Sequence, residues 1–312
     1  MKAVGITRTG GPEALGLLDL PEPDTDGPGA GGPDAGGLVI RVAAAAVNPV
    51  DLATRSGLIP TALPAVLGWD LAGTVAHAPQ GSGFTPGDRV MAMTAQLGTG
   101  VGSMAEYVRF DPAFVVGVPD SLGLTDAAAL PLAGVTAVQA LRRTPERAGR
   151  RVLLVGAQGS VGGQLAPRLL DEPETRTDLL VRPGDGETWR ELRAGRPGEG
   201  AVLTDPAGVE AKAYDVVVDA AGAPDLIDAV RPGGTFVTLT PFSAPDPARR
   251  PDVEFVLHGV ELNRDDLAEV AARAARDAGL RPRTTVLSFA EAPEAHRRLE
   301  AGGFRGKFVL VP

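Results

Sequence analysis

The stretch LLVGAQGSVGGQL, Leu153 to Leu165, enters apolar, passes through four glycines and leaves apolar. Glycine weakens a strand or helix by roughly 0.5–1 kcal/mol relative to alanine, so a cluster of them at such a joint needs a reason. The apolar run before it, RVLLVG, reads as a buried strand, and the chain from Ser160 reads as a helix. Between strand and helix the glycines fall at Gly156, Gly159, Gly162 and Gly163. A turn of this kind lets backbone N–H groups at a helix start approach an anion with no Cβ in the way.

Working outward, a second strand follows, DLLV at Asp178 to Val181, and then YDVVVDAAG, a short helix expected over Asp225–Val230, and GTFVTL at Gly234–Leu239. Continuous apolar strands alternating with helices predict an α/β region with a parallel sheet covered on both faces. The spacing G-x-x-G-x-x-G is a variant of the dinucleotide fingerprint G-x-G-x-x-G, and its strand-turn-helix setting is that of a pyrophosphate cradle. The residues expected to form it are Gly156, Ala157, Gly159, Ser160, Val161 and Gly162. Where NAD-specific folds end the second strand in a carboxylate for the ribose hydroxyls, this chain has Val181, Arg182 and Pro183. A guanidinium there suits a 2′-phosphate, which predicts NADPH over NADH, with a solvated loop arginine as the plainer alternative. Pro167 inside the first helix and the polar run DEPETRTD make this region irregular.

Upstream, the first ~120 residues read as mainly β, with strands over Leu38–Val47 and Leu71–Ala78 and a turn at TPGDRV. The Gly/Pro/Asp stretch from Asp24 to Gly37 predicts a flexible surface loop. Thr125-Asp126 signals a helix start, a further helix is expected over Arg264–Ala278, and GKFVLVP reads as a last strand. Three segments result: 1–121, 122–259, and 260–312 returning to the first.

Composition narrows the chemistry. With no cysteine the chain has neither disulfide, thiol nucleophile nor thiolate zinc site. Its three histidines, His77, His258 and His296, have no metal-ligand spacing. A net charge of −9 and 4% aromatic residues argue against nucleic acid. No apolar run approaches a membrane span, and MKAVGI reads as a first strand rather than a signal segment, so a cytoplasmic location is expected. Neither a G-x-S-x-G elbow nor a G-x-x-x-x-G-K loop occurs.

Taken together, LPAVLGWDLAGTV, GFTPGDRVMAM, GSMAEYV, AAALPLAGVTAVQAL, GAQGSVGG, YDVVVDAAG and RGKFVLVP resemble the medium-chain dehydrogenase/reductase superfamily, and within it the zinc-free quinone oxidoreductase branch. The resemblance spans almost the whole chain and lapses near Asp24 and between Leu165 and Glu210. It implies a GroES-like β-rich domain holding the substrate, a Rossmann domain (a doubly wound parallel sheet) binding NADPH, a cleft between them, and a homodimer, with GTFVTL as its candidate interface. The zinc-dependent Gly-His-Glu motif reads Gly68-Trp69-Asp70 here, so tryptophan stands at the histidine ligand position.

The segment VNPVDLATRSG resembles the family's substrate-lining N-x-x-D…R-x-G, which implies Asn48, Asp51 and Arg55 as candidate catalytic residues. Asn48 is the candidate donor to a developing oxyanion, with fixing the loop before Pro49 as the plainer role. Asp51 is expected to orient its neighbours, and Arg55 to clamp substrate or pair with a carboxylate. Several relatives carry an aromatic hydroxyl two positions after the aspartate; Ala53 stands there, leaving water as the proton source. Tyr107 is expected to be a packed strand residue. Thr136 matches a threonine beside the nicotinamide, and Lys307 matches a C-terminal lysine returning toward the cofactor. The expected activity is metal-free reduction of a quinone or α,β-unsaturated carbonyl, a small-molecule substrate, by NADPH. The alternatives are an enone reductase serving one biosynthetic pathway, and a catalytically quiet NADPH-binding scaffold or sensor.

Overall fold

The computed structural model describes residues 1–24, 37–94 and 98–312. All but the two ends of the expected Asp24–Gly37 loop lies outside the described residues. The chain opens with strands β1 (Lys2–Ile6), β2 (Leu15–Asp19) and β3 (Leu38–Ala46), then helix α1 (Pro49–Ser56). Strands β4 (Ala65–Val66), β5 (Asp70–His77), β6 (Arg89–Met93), β7 (Tyr107–Phe110) and β8 (Val115–Gly117) follow, and then helices α2 (Leu124–Ala128) and α3 (Pro131–Arg143). The middle of the chain carries β9 (Arg151–Val155), α4 (Ser160–Leu170), β10 (Arg176–Leu180), α5 (Gly186–Ala194), β11 (Val202–Leu203), β12 (Tyr214–Asp219), β13 (Val230–Thr238) and β14 (Glu254–Leu257). It closes with α6 (Arg264–Arg276), β15 (Thr284–Ser288), α7 (Ala292–Glu300) and β16 (Lys307–Val311).

Two compact units result, one formed by Met1–Leu132 with Glu261–Pro312, the other by Ala133–Val260. The first boundary lies beyond residue 121 because α2 packs on β3, β5 and β6 and so belongs to the first unit. In that unit the main sheet runs β15-β16-β3-β5-β6-β8, with β7 also on β3, and β16 pairs antiparallel to β3 through Val309↔Ala46 and Leu310↔Ala45. That pairing carries Lys307, at the start of β16, to the segment between β3 and α1. The core gathers Ile6, Leu38, Ile40, Leu71, Phe110, Phe289 and Phe308.

The second unit holds a six-stranded sheet, β11-β10-β9-β12-β13-β14, all parallel. Strand alternation sends Val152 and Leu154 into one core with Leu165 and Leu169 of α4, and Leu153 and Val155 into another with Ile227 and Phe236. Both faces are therefore covered, which is why the strands read as unbroken apolar runs.

Several local expectations are corrected. The segment expected as a helix over Asp225–Val230 is a 3-10 turn at Pro224–Ala229, because Val230 already begins β13 and leaves no room for an α-helical ladder. The helix from Arg264 ends at Arg276, where Asp277 turns extended and its side chain accepts the Gly279 N–H. GTFVTL, the candidate dimer interface, falls almost wholly in β13, which is paired on both sides, and β14 forms the edge of the sheet beyond it. Pro167 does not end α4, which runs through it to Leu170. Among the described residues no helix is long and apolar enough to cross a membrane.

Candidate functional site

In the second unit the glycines of the β9–α4 turn have separate reasons to be bare. Gly156 has φ +83°, a conformation L side chains rarely adopt, and a Cβ on it would lie 2.7 Å from Ala221 Cβ. At Gly162 a Cβ would meet the Gly156 carbonyl oxygen at 2.1 Å, so this glycine lets helix and turn touch. Gly159 differs. Its φ of −75° and ψ of 169° suit any residue, and the nearest atom to an added Cβ is the Gly156 oxygen, 3.3 Å away. Backbone strain does not demand glycine there, and the one tight contact is far milder than those at Gly156 and Gly162.

Gly159 is also the N-cap of α4 and supplies no side-chain acceptor, where Ser, Thr or Asp would add a few tenths of a kcal/mol. The helical ladder begins with Gly163 N–H to Gly159 O at 2.8 Å. The Gly159 N–H closes the turn onto the Gly156 oxygen at 2.9 Å, and the N–H groups of Val161 and Gly162 stand in the first turn of the helix, where a phosphate is favoured. Val161 is half-buried against the α4 core, and Ala157 is fully buried beneath the turn. The residues present fit a dinucleotide pyrophosphate.

Beside this turn, Asp219 ends β12 and accepts N–H bonds from Ala221, Gly222 and Ala223 at 2.9–3.0 Å. Burial pushes its carboxyl above the usual range, and these three bonds pull it back. The aspartate thus shapes the 220–223 loop that abuts Gly156, a role the sequence did not suggest. On the other flank, Leu180 of β10 accepts the Gly156 N–H at 2.9 Å, which puts Arg182 just beyond the same end of the sheet. Arg182 Nε donates to Asp185 Oδ2 at 3.2 Å. Thr136 lies on α3 and is buried.

The first unit gathers Asn48, Asp51, Asp70 and Lys307 into one buried polar cluster. Asn48 caps α1, and its backbone N–H donates to Asp51 Oδ2 at 2.7 Å. Asp51 Oδ1 accepts the Gly68 N–H at 3.0 Å, which ties the helix start to the loop before β5. Burial outweighs these bonds and holds the Asp51 carboxyl at about 7. Asn48 Nδ2 donates to Asp70 Oδ2 at 3.0 Å and more weakly to the Ala46 oxygen at 3.5 Å, while its carbonyl accepts from Lys307 Nζ. Asp70 Oδ1 accepts the Leu132 N–H at the start of α3, at 2.8 Å. Burial raises the Asp70 carboxyl and lowers the Lys307 ammonium, each opposed by the other's charge 3.8 Å away.

This geometry redirects two expectations and decides between the alternatives for a third. The Asn48 amide, expected to face a substrate oxygen, is turned inward and engaged at both ends, with 1% of the residue exposed. Lys307, expected to meet the cofactor, has its ammonium held by Asn48 and Asp70. Of the two roles expected of Arg55, the geometry has the pairing with a carboxylate: Nη2 pairs with Glu300, Nε donates to the Gly10 oxygen at 3.1 Å, and Nη1 donates to His296 Nδ1 at 3.5 Å. It joins α1 to α7 as a structural strut. Asp51 orients its neighbours, and Ala53 is buried without a hydroxyl. Tyr107 starts β7 opposite Arg41 and is partly buried.

His296, fully buried beside Arg55, has its imidazole pushed down to about 3, first by burial and then by the Arg55 charge. Folded, it stays neutral; unfolded, it titrates near its ordinary value of about 6.5. The unfolded chain therefore binds the extra proton as pH falls below that value, and stability is lost toward acid. His296→Gln is expected to shrink the drop in melting temperature between pH 7 and pH 5. Parallel curves for variant and wild type would count against this.

A zinc site does not fit these residues. The chain has no cysteine, Trp69 stands in the Gly68-Trp69-Asp70 motif, and among the described residues no three His, Cys, Asp or Glu side chains gather as a metal would need.

Comparison with known proteins agrees with the fold. Residues 34–120 match the model of the alcohol dehydrogenase GroES-like domain, and residues 201–310 match that of the zinc-binding dehydrogenases. The chain is 31% identical over 255 residues to the chloroplastic quinone-oxidoreductase homolog of Spinacia oleracea, spanning 74% of this chain and 72% of that protein. It is 31% identical over 217 residues to the chloroplastic NADPH-dependent alkenal/one oxidoreductase of Arabidopsis thaliana, spanning 65% of this chain and 55% of that protein. The quinone oxidoreductase of Coxiella burnetii superposes with a TM-score of 0.85 at 25% identity, covering 100% of this chain and 99% of that one. With a bare glycine cradle on a doubly wound sheet and a GroES-like unit in the same chain, the protein belongs to the medium-chain dehydrogenase/reductase superfamily, among its quinone oxidoreductase-like members.

Proposed function

We propose that this oxidoreductase uses NADPH to reduce a quinone or an α,β-unsaturated carbonyl without a metal. The observation that carries the reading is Gly159, bare in backbone angles that any residue accepts, at the head of a helix with no side-chain cap. The Gly156–Gly162 turn would hold the pyrophosphate, with Ser160 and Val161 in the first turn of the helix, and Arg182 would meet a 2′-phosphate. When bound, the nicotinamide supplies the hydride. The acceptor leaves as an enolate or hydroquinone anion, and its proton comes from water, since Ala53 has no hydroxyl to give. Asn48, Asp51 and Lys307 serve by fixing the backbone between β3 and α1, and Thr136 lies on the helix the family places beside the nicotinamide.

The test is NADPH consumption against a panel of quinones, enones and enoyl thioesters, followed by the loss of nicotinamide absorbance. Turnover with enones alone would favour a pathway reductase. Tight NADPH binding with no turnover on any member would favour the quiet scaffold, a reading supported by Ala53 and the inward Asn48 amide. Arg182→Ala is expected to weaken NADPH binding by tenfold or more and leave NADH nearly unchanged; equal losses for both nucleotides would refute the assignment.

We also propose a homodimer through β14. This outermost strand exposes Leu257 by 52%, and Phe242, shortly after β13, is exposed by 59%. Two such edges pairing across a twofold axis would extend the sheet and cover apolar side chains. Leu257→Pro, which removes an N–H facing the free edge and leaves the bonds to β13 intact, is expected to convert the dimer to monomer in light scattering; an unchanged mass would refute it.

A further inference from the structure

We infer that Arg190 joins Arg182 in reading a 2′-phosphate on the adenosine ribose, and that Asp185 opposes it, so that these side chains set how strongly the phosphorylated nucleotide is preferred. The inference rests on the proposed nucleotide site. Beyond β10 the chain makes a tight turn at Pro183–Asp185 and enters α5 at Gly186. The Arg190 guanidinium folds back over this turn: both its Nη atoms lie 3.4 Å from where a Cβ on Gly186 would stand, while Thr204 Cγ2, at 2.7 Å from that point, packs on the same residue. The Arg190 side chain is 54% exposed and pairs only loosely with Glu187, at 3.5 Å. Arg182 engages Asp185 through Nε, which leaves its Nη edge for a second anion. The turn therefore carries two guanidiniums beside a carboxylate, at the end of the sheet that holds the glycine cradle.

Charge decides what this arrangement prefers. A 2′-phosphate brings close to two negative charges; both arginines attract it and Asp185 repels it. A 2′-hydroxyl brings none, and it can donate to the Asp185 carboxylate. Asp185 thus weakens NADPH and aids NADH, holding the preference below what two arginines alone would give.

The experiment measures Kd for both nucleotides by fluorescence titration of the purified full chain. Asp185→Asn is expected to raise the NADPH:NADH affinity ratio about tenfold. Arg190→Gln, at an exposed position that does not threaten the fold, is expected to lower it about fivefold by weakening NADPH alone. The ratio discriminates because general damage to the shared site shifts both nucleotides together. If wild type binds NADPH and both variants keep its ratio within about twofold, this inference falls and the nucleotide reading stands. Binding of neither nucleotide to wild type overturns both.

Discussion

Gly159→Val is expected to give a protein that melts within a few degrees of wild type and binds NADPH at least a hundredfold more weakly. The backbone at Gly159 already has angles valine accepts, and the 3.3 Å approach to the Gly156 oxygen is relieved by a small shift. What valine cannot spare is the space above the first N–H groups of α4, where its methyls would stand between donors and phosphate. Gly162→Val provides the contrast. There the Cβ would sit 2.1 Å from a carbonyl oxygen inside the turn, so the substitution is expected to unfold the unit rather than merely block it. Calorimetric melting with fluorescence titration separates the two effects. Equal nucleotide affinity in a folded Gly159→Val protein would mean that no phosphate rests on the start of α4.

Lys307→Met is expected to cost about 3 kcal/mol of stability, toward the lower end of what removing one partner of a buried pair costs. The variant leaves the Asp70 carboxylate inside the protein with only the Asn48 amide and the Leu132 N–H to satisfy it. It also frees the Asn48 carbonyl, whose bond from Lys307 links β16 to the start of α1. Adding Asp70→Asn to Lys307→Met removes the stranded charge and is expected to recover part of the loss. Urea denaturation of the single and double variants measures this. A loss below about 1 kcal/mol for Lys307→Met would mean the cluster does not hold the β3–α1 segment together.

The cradle was legible because everything that makes it lies within one short run, Leu153 to Leu165: a β-type apolar segment, the glycines, and a helix. Strand–helix alternation was legible for the same reason, since a strand buried on both faces cannot hide its continuous apolar pattern. What the sequence did not disclose was partnership over distance. Arg55 meets Glu300 and His296 only once α1 and α7 have packed, and Lys307 meets Asn48 only once β16 has joined β3. A resemblance based on short motifs placed Asn48 and Lys307 at the substrate and cofactor, whereas folding turns their polar groups toward each other. Sheet order was equally hidden: nothing in EFVL, short and polar at its start, showed that it would pair beyond GTFVTL, the segment named as candidate interface. Asp185 and Arg190 drew no notice because their meaning comes from the turn at Pro183–Asp185, which brings them beside Arg182 only once β10 and α5 have formed.

Amide hydrogen exchange, with and without saturating NADPH, tests the central claim most directly. The N–H groups of Ala157 through Gly162, where phosphate would sit, should slow by tenfold or more on adding nucleotide, while the Asn48–Lys307 cluster in the other unit keeps its rates. Unchanged exchange across that turn at saturating NADPH would contradict the account.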